Sequence, residues 1–412
     1  MKTENELIPH LFRTEYSKLT AVLGRLFGFE HIEIAEDIVS DTFMIAAETW
    51  GQKGLPENPV AWLYTVAKNK AKDHLKRNQL FSEKIIAAIK ADTDESYEIE
   101  IDLSGKNISD SQLQMMFAIC HPAIPAEAQI ALSLRILCGF GIEEIADAFL
   151  TNKSTINKRL FRAKEKLRTE RVKIEFPPKP EISRRLNTVL TTLYLLFNEG
   201  YYSLSQNISL RKDLCLEAMR LMLLLSENKE TNEPQVSALL ALMCFHASRF
   251  EARMGEDGES VLYEEQDTAL WDQELIAKGE HFLSLSANDS QPSKYHLEAA
   301  IAYWHTNKTD STEKWESILQ LYNILLLIEY SPAAALNRTY ALARANGKEL
   351  AIIEAEKLNL EGNYLYHSLL GHLYTDVDNE TARHHFNIAL KLTRSIPDRR
   401  KIQEHIKKLQ MS

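Results

Sequence analysis

Apolar residues recur at three- and four-residue spacing along almost the whole chain, and nowhere does the period-two alternation of a half-buried strand persist. The pattern predicts an all-α protein. Between Glu33 and Trp50, Ile34, Ile38 and Ile45 fall on one side of a helix, and Val39, Phe43, Ala46 and Trp50 on another. Asp37, Ser40, Asp41 and Glu48 keep the remainder polar. So wide an apolar arc suits either burial on more than one side or a helix that packs inside its domain on one side and meets a partner on the other. Pro59 is suited to a first helical position, where its missing N–H is not needed. After it, Leu63, Ala67, Ala71 and Leu75 form a stripe at four-residue spacing. Further on, Ile142 to Phe149 reads as a short helix with Ile145 and Ala146 inward, and Leu150 to Lys153 as a turn. Ser154 is the expected N-cap of a second helix, whose buried stripe is Ile156, Leu160, Ala163 and Leu167. Two short helices joined this way make a helix-turn-helix.

Three breaks divide the chain. Ala91 to Gly105 holds six carboxylates and no Lys or Arg, the composition of a flexible linker. Pro177-Pro178-Lys179-Pro180 stops any preceding helix. Asn288 to Pro292 is rich in turn residues. The expected units are 1–90, a linker at 91–109, 110–176, 177–290 and 291–412. The last contains a repeat: Leu336-Asn337-x-x-Tyr340 recurs as Leu370-Gly371-x-x-Tyr374, an offset of 34 residues. Each copy precedes a helix with small and apolar anchors, Ala351, Ala355 and Leu358, then Ala382, Phe386 and Ala389. Trp315, Leu319 and Tyr322 are placed to close an earlier pair. The spacing is that of tetratricopeptide helix pairs.

Composition narrows the function classes. The formal charge is −10, so nucleic acid must be bound through local basic patches if it is bound at all. Two patches exist. Beside the stripe that follows Pro59 lie Lys68, Lys72 and Lys76, then Asn69, Asp73 and Arg77, with the polar loop Gly51 to Pro59 before them. A loop next to a cationic helix can hold an unpaired base while Lys and Arg hold phosphates. From Lys153 to Lys173 nine basic residues face Glu165 and Glu170, so nine minus two gives a local charge of +7. Ser154, Thr155, Asn157 and Lys158 lie at the helix start, where base edges are reached. Arg159 and Arg162 suit guanine or phosphate, and Lys164 to Lys173 the backbone or solvent.

The other classes find less support. No Gly-rich phosphate loop, Gly-x-Ser-x-Gly, His-Glu-x-x-His or Cys/His cluster is present, so neither an enzyme nor a cofactor or metal site is expected. Cys120, Cys138, Cys215 and Cys244 lie in apolar helical patterns and read as reduced core residues of a cytoplasmic protein. The polar, acidic start of the chain is unlike a signal peptide, and the longest apolar run is too short for a membrane span. Asn198-Glu199-Gly200-Tyr201 and Asp257-Gly258-Glu259 read as helix-end and turn chemistry, with Gly200 as a stop. The residues alone leave open a helical-repeat binding scaffold and a repressor-type helix-turn-helix regulator.

These motifs, in this order, resemble the sigma-70 factors of RNA polymerase. Ala35-Glu36-Asp37-Ile38-Val39-Ser40-Asp41-Thr42-Phe43 is similar to the family's polymerase-clamp-binding helix. Pro59 to Asn69 with Asp73 to Arg77 resembles the segment that melts and reads the upstream-ten element. Ile142 to Ala146 with Ser154 to Lys164 resembles the upstream-thirty-five helix-turn-helix. Cys120-His121-Pro122-Ala123, Asn198 to Tyr201, Asp257-Gly258-Glu259, Glu265-Gln266-Asp267, Trp271 and Leu336-Asn337-Arg338 resemble an extracytoplasmic-function subgroup with a fused C-terminal helical extension.

The resemblance implies sigma region 2 at 1–90 and region 4 at 110–176. It implies partners in core RNA polymerase, at its clamp and flap, and in promoter DNA. Polymerase contacts would fall at Glu36, Asp37, Ser40, Asp41 and Phe43, and the extension, open to a ligand or a protein, would regulate in cis. Two positions depart from the pattern. Leu150 stands where many such turns have Gly, so the turn is expected to form without the usual left-handed residue. Lys68 stands where many relatives have Arg, which keeps charge but not two-pronged geometry.

Overall fold

The computed structural model describes residues 4–87, 100–202, 208–253, 261, 263–287, 291–393 and 396–411. The all-α expectation holds: among them the regular elements are helices and no strand occurs. The chain divides into two compact units, Met1–Asn232 and Glu233–Ser412.

The first unit holds α1 (Glu4–Phe27), α2 (Ile32–Lys53), α3 (Pro59–Ala87), α4 (Gly105–Ile119), α5 (Ala126–Leu132), α6 (Ile142–Ala148), α7 (Lys153–Thr169), α8 (Lys179–Tyr201) and α9 (Ile208–Glu227). A wider helical turn, Ser133–Leu137, continues α5. α1 is the centre, packed on α2 and on α4. Its Tyr16, Leu19 and Leu23 are fully buried, and Phe12 meets Phe43 edge-on with ring centroids 5.0 Å apart. Full burial of each large apolar side chain stabilises by about 1.5–3 kcal/mol.

The acidic segment falls mostly at 88–99, outside the described residues. Residues 100–104 are not helical, and α4 begins at Gly105, inside the expected 91–109 linker, where Ser104 caps it by accepting from the Asn107 N–H. Asp102 accepts from Ser104, and these bonds hold the Asp102 carboxyl below its usual range.

α8 and α9 follow the triple-proline break but belong to the first unit. Thr192 donates to Gln129 Oε1 at 2.7 Å, Arg185 to the Phe117 carbonyl at 2.6 Å, and Arg220 to the Leu137 carbonyl at 2.7 Å. Gly200 is not a stop. It lies inside α8, where a Cβ would stand 2.5 Å from the Arg211 carbonyl, so glycine is what lets α9 approach.

The second unit holds α10 (Pro234–Ala247), α11 (Gln273–Ser286), α12 (Lys294–Trp304), α13 (Thr312–Ile328), α14 (Pro332–Asn346), α15 (Lys348–Lys357), α16 (Tyr364–Tyr374), α17 (Asn379–Leu392) and α18 (Ile396–Met411). α10 is buried from Val236 to Phe245. The 34-residue offset maps onto two successive helix pairs, α14–α15 and α16–α17. Ala351, Ala355, Ala382, Phe386 and Ala389 are their buried anchors. Gly371 lies 2.7 Å, measured from a built Cβ, from the Phe386 ring, which is why the second copy carries glycine there. The four cysteines are buried thiols outside any disulfide, and burial raises the Cys120 thiol to about 11. No described helix is long and apolar enough to cross a membrane.

Candidate nucleic-acid interface

The helix-turn-helix forms where the apolar stripe places it. Ile156, Leu160, Ala163 and Leu167 of α7 are buried, as are Ile145 and Ala146 of α6. Glu144 accepts from the Gly141 N–H at 2.7 Å and so starts α6. α7 begins two residues earlier than the Ser154 cap predicts. Asn152 is the N-cap: it has extended backbone, and its Oδ1 accepts from the Thr155 N–H at 2.8 Å. Ser154 is therefore inside the first turn, with its side chain exposed and free for a ligand. The turn does contain a left-handed residue, and it is Leu150, at φ 47°. The Thr151 N–H reaches the Ala146 carbonyl at 2.9 Å, a helix-ending bond that requires this conformation.

The cations of α7 divide by position. Thr155, Asn157, Lys158 and Arg162 are exposed near the helix start, and Lys158 and Arg162 have no ion-pair partner among the described residues. Arg159 instead lies over the Phe149 ring, 4.9 Å from its centroid. Phe161, between Lys158 and Arg162, is 66% exposed. Sequence reasoning passed over it, although an aromatic residue off the buried stripe of a basic helix is a readable signal. An aromatic ring flanked by cations suits a base or a thymine methyl group.

In the second half of α7, Lys166 is exposed, but two other cations are held by α2. Lys164 pairs with Glu36 of α2, whose other oxygen lies 3.5 Å from Arg135 Nε. Arg168 pairs with Glu33 at 2.9 Å, and Arg13 of α1 reaches Glu144 of α6 at 2.6 Å. The two DNA-reading regions of the resemblance are thus packed on each other.

That packing sorts the candidate polymerase contacts on α2. Glu36 and Phe43 are buried, Ser40 is half-buried, and Asp37 and Asp41 are exposed, with Asp41 held by Lys70 at 2.9 Å. They do not form one accessible face. α3 buries Leu63, Ala67 and Ala71 and leaves Asn69, Lys76 and Arg77 exposed, with Lys68 and Lys72 partly so. None of these four cations makes an ion pair among the described residues. α2 runs on to Lys53, so the preceding loop is shorter than Gly51 to Pro59. It begins at Gly54, at φ 77°, and Asn58 closes it by accepting from the Ala61 N–H at 3.0 Å.

Comparison with known proteins agrees with this anatomy. Residues 11–81 match the family profile of sigma-70 region 2, residues 118–167 that of sigma-70 region 4, and residues 185–287 a family of unknown function, DUF6596. The chain is 33% identical over 353 residues to an uncharacterized protein of Rhizobium meliloti, covering 84% of this chain and 82% of that one. It is 29% identical over 153 residues to the RNA polymerase sigma-H factor of Pseudomonas aeruginosa, covering 35% of this chain and 77% of the factor. No solved structure is similar to it. With region 2 ending in the basic face of α3, region 4 built around α7, and a further helical segment beyond both, the chain belongs to the sigma-70 family of RNA polymerase factors as a member with a C-terminal extension.

Proposed function

We propose that this protein is a cytoplasmic sigma factor of the extracytoplasmic-function type, which binds core RNA polymerase and directs promoter-specific initiation. Its sigma regions are those of a non-enzymatic transcription factor. In this reading region 2 occupies 1–90 and region 4 110–176. Lys68, Asn69, Lys72, Lys76 and Arg77 follow the non-template strand, while Thr155, Asn157, Lys158 and Arg162 enter the upstream major groove. The observation that carries the reading is the pair of basic faces, one in each sigma region, whose exposed cations have no ion-pair partner among the described residues, on a chain that is acidic overall.

Polymerase is contacted through the α2 helix. Because Glu36 lies beneath Lys164 and Arg135, its carboxylate reaches a partner only after α7 has parted from α2. Asp37 and Asp41 are accessible before that step. The extension, including the tetratricopeptide-like pairs at 291–412, regulates this factor in cis, and α8 and α9, which brace α4 and α5, are its route to region 4.

Run-off transcription with purified bacterial core polymerase on a pool of promoter fragments tests the reading. The full chain and a version ending at Asn232, which keeps α8 and α9, are to be compared. Specific transcripts that vanish in the Lys158→Ala/Arg162→Ala protein are the expected result, and a difference between the two lengths gives the sign of control. Failure of both versions to co-elute with core polymerase would refute it.

A further inference from the structure

In the second unit, a cleft of about 170 Å³ opens between the α13–α14 pair and the segment around Tyr263. Its walls include Tyr263, Lys308, Asp310, Lys314, Trp315 and Arg344. Lys314, in the first turn of α13, is only 3% exposed. Its ammonium donates to two neutral acceptors, the Asn307 carbonyl and the Tyr263 hydroxyl, the latter at 3.2 Å. No carboxylate lies within ion-pair reach of it among the described residues, and beyond these two bonds it faces only the Tyr263 and Trp315 rings, at 5.4 and 5.6 Å from their centroids.

The two nearby acids are already committed. Asp310 accepts from Trp315 Nε1 at 2.5 Å and from Arg344, and Glu264 accepts from the Tyr340 hydroxyl at 2.9 Å. Arg249, not itself a wall residue, is 8% exposed, and its guanidinium carbon lies 5.5 Å from the Tyr263 centroid. Among the described residues it too lacks a carboxylate, and its Nε is buried without a partner there. Among the described residues, four cations (Arg249, Lys308, Lys314, Arg344) against two acids (Glu264, Asp310) leave an excess of two positive charges in a protein of net charge −10.

A buried ammonium with only neutral partners is expensive to keep unless something completes it. We propose that this cleft is a binding site for a small-molecule oxyanion, a phosphate or a carboxylate group, with Lys314 as its central ligand and Lys308 and Arg344 at its sides. Burial and the charges of Arg344 and Arg249 push the Lys314 ammonium below its usual range, opposed by Asp310. An arriving anion relieves that strain, so binding and the positive charge of Lys314 favour each other. The site stands independently of the sigma reading, since it requires neither polymerase nor DNA.

The test is calorimetric titration of the full chain with sodium phosphate and, separately, with sodium acetate, at ionic strength fixed by chloride. Saturable binding of either anion is expected: a response to phosphate alone identifies a phosphorylated ligand, and a response to acetate alone a carboxylate. Lys314→Met should weaken that binding by about 10-fold or more while leaving the melting temperature of the unliganded protein unchanged or higher. Lys308→Gln should weaken it less, and serves as the deciding variant if Lys314→Met does not fold. Absence of saturable binding by either anion would overturn the proposal, as would affinity unchanged in the folded variants.

Discussion

Lys158 and Arg162, on the N-terminal side of Ala163 in α7, stand exposed without a carboxylate in ion-pair reach among the described residues. Lys164 and Arg168, in the second half, are held by Glu36 and Glu33 of another helix. One stretch of helix thus carries four cations with two different fates. The face over which the helix packs decides between them: the second half lies against α2, and there an unpaired cation would be costly. Net charge along the helix therefore overstates the surface available to DNA. The division suits a protein whose second half of α7 holds a resting arrangement while its first half stays open to a ligand.

The comparison breaks most sharply at the buried end. Removing one partner of a buried ion pair strands the other, at a cost of about 3–5 kcal/mol. Lys164→Met should sit at the low end, about 3 kcal/mol, because Arg135 remains 3.5 Å from Glu36. Adding Glu36→Gln removes the stranded charge and should restore much of the loss. Urea unfolding of the four proteins of this cycle measures it, and simple additivity would show that the pair is not coupled. Lys158→Met should shift stability by less than about 0.5 kcal/mol.

At the open end the effect moves from stability to binding. Lys158→Ala/Arg162→Ala should cost about 2–3 kcal/mol of promoter affinity, roughly 100-fold, and flatten the salt dependence by about two units of slope. Fluorescence anisotropy with labelled promoter duplex across a salt series reads both quantities. Equal losses in the Lys164→Met protein, once its folding is verified, would erase the distinction between the two halves.

Burial treats charge in the same way in the second unit, where it sharpens the contrast through pH. Burial lowers His305 to about 3 and His372 to about 4, helped by neighbouring cations and by His405. A folded-state value below the unfolded one, about 6.5, means that the unfolded chain takes up the proton first. The stability these neutral rings contribute is complete above about pH 6.5 and is lost as pH falls through the window to about 4. The slope is about 1.4 kcal/mol per pH unit for each ring. His305→Phe should flatten the acid limb measured by urea unfolding between pH 6.5 and 4, and an unchanged limb would show that the ring takes up its proton in the folded state.

Stripes and charge runs made the helices and the exposed part of the interface legible, because period and net charge are local properties. What escaped was settled by contacts distant in sequence or by a choice between near-equal neighbours. Nothing near Lys164 announces Glu36, which lies 128 residues away. Asn152 and Ser154 are both good caps, and only the extended backbone at Asn152 decides between them. Gly200 read as a stop because an ending and a close helix approach ask for the same residue, and only the Arg211 carbonyl distinguishes them.

Leu150 gives the smallest and most local test of how the two halves are set. It carries φ 47° at the junction that aims α7, and its side chain is 63% exposed, so little packing energy holds it there. The left-handed conformation costs a branched L-residue about 1–2 kcal/mol, whereas glycine adopts it freely but loses about 0.5–1 kcal/mol more backbone entropy on folding. The difference favours Leu150→Gly by about 0.5 kcal/mol, seen as a rise in melting temperature of a degree or two. The Thr151–Ala146 bond is a backbone contact and should survive, so α7 keeps its direction and promoter affinity stays unchanged. A stabilised protein with weakened promoter binding would mean that the Leu150 side chain itself touches DNA, placing the turn on the open half of the interface.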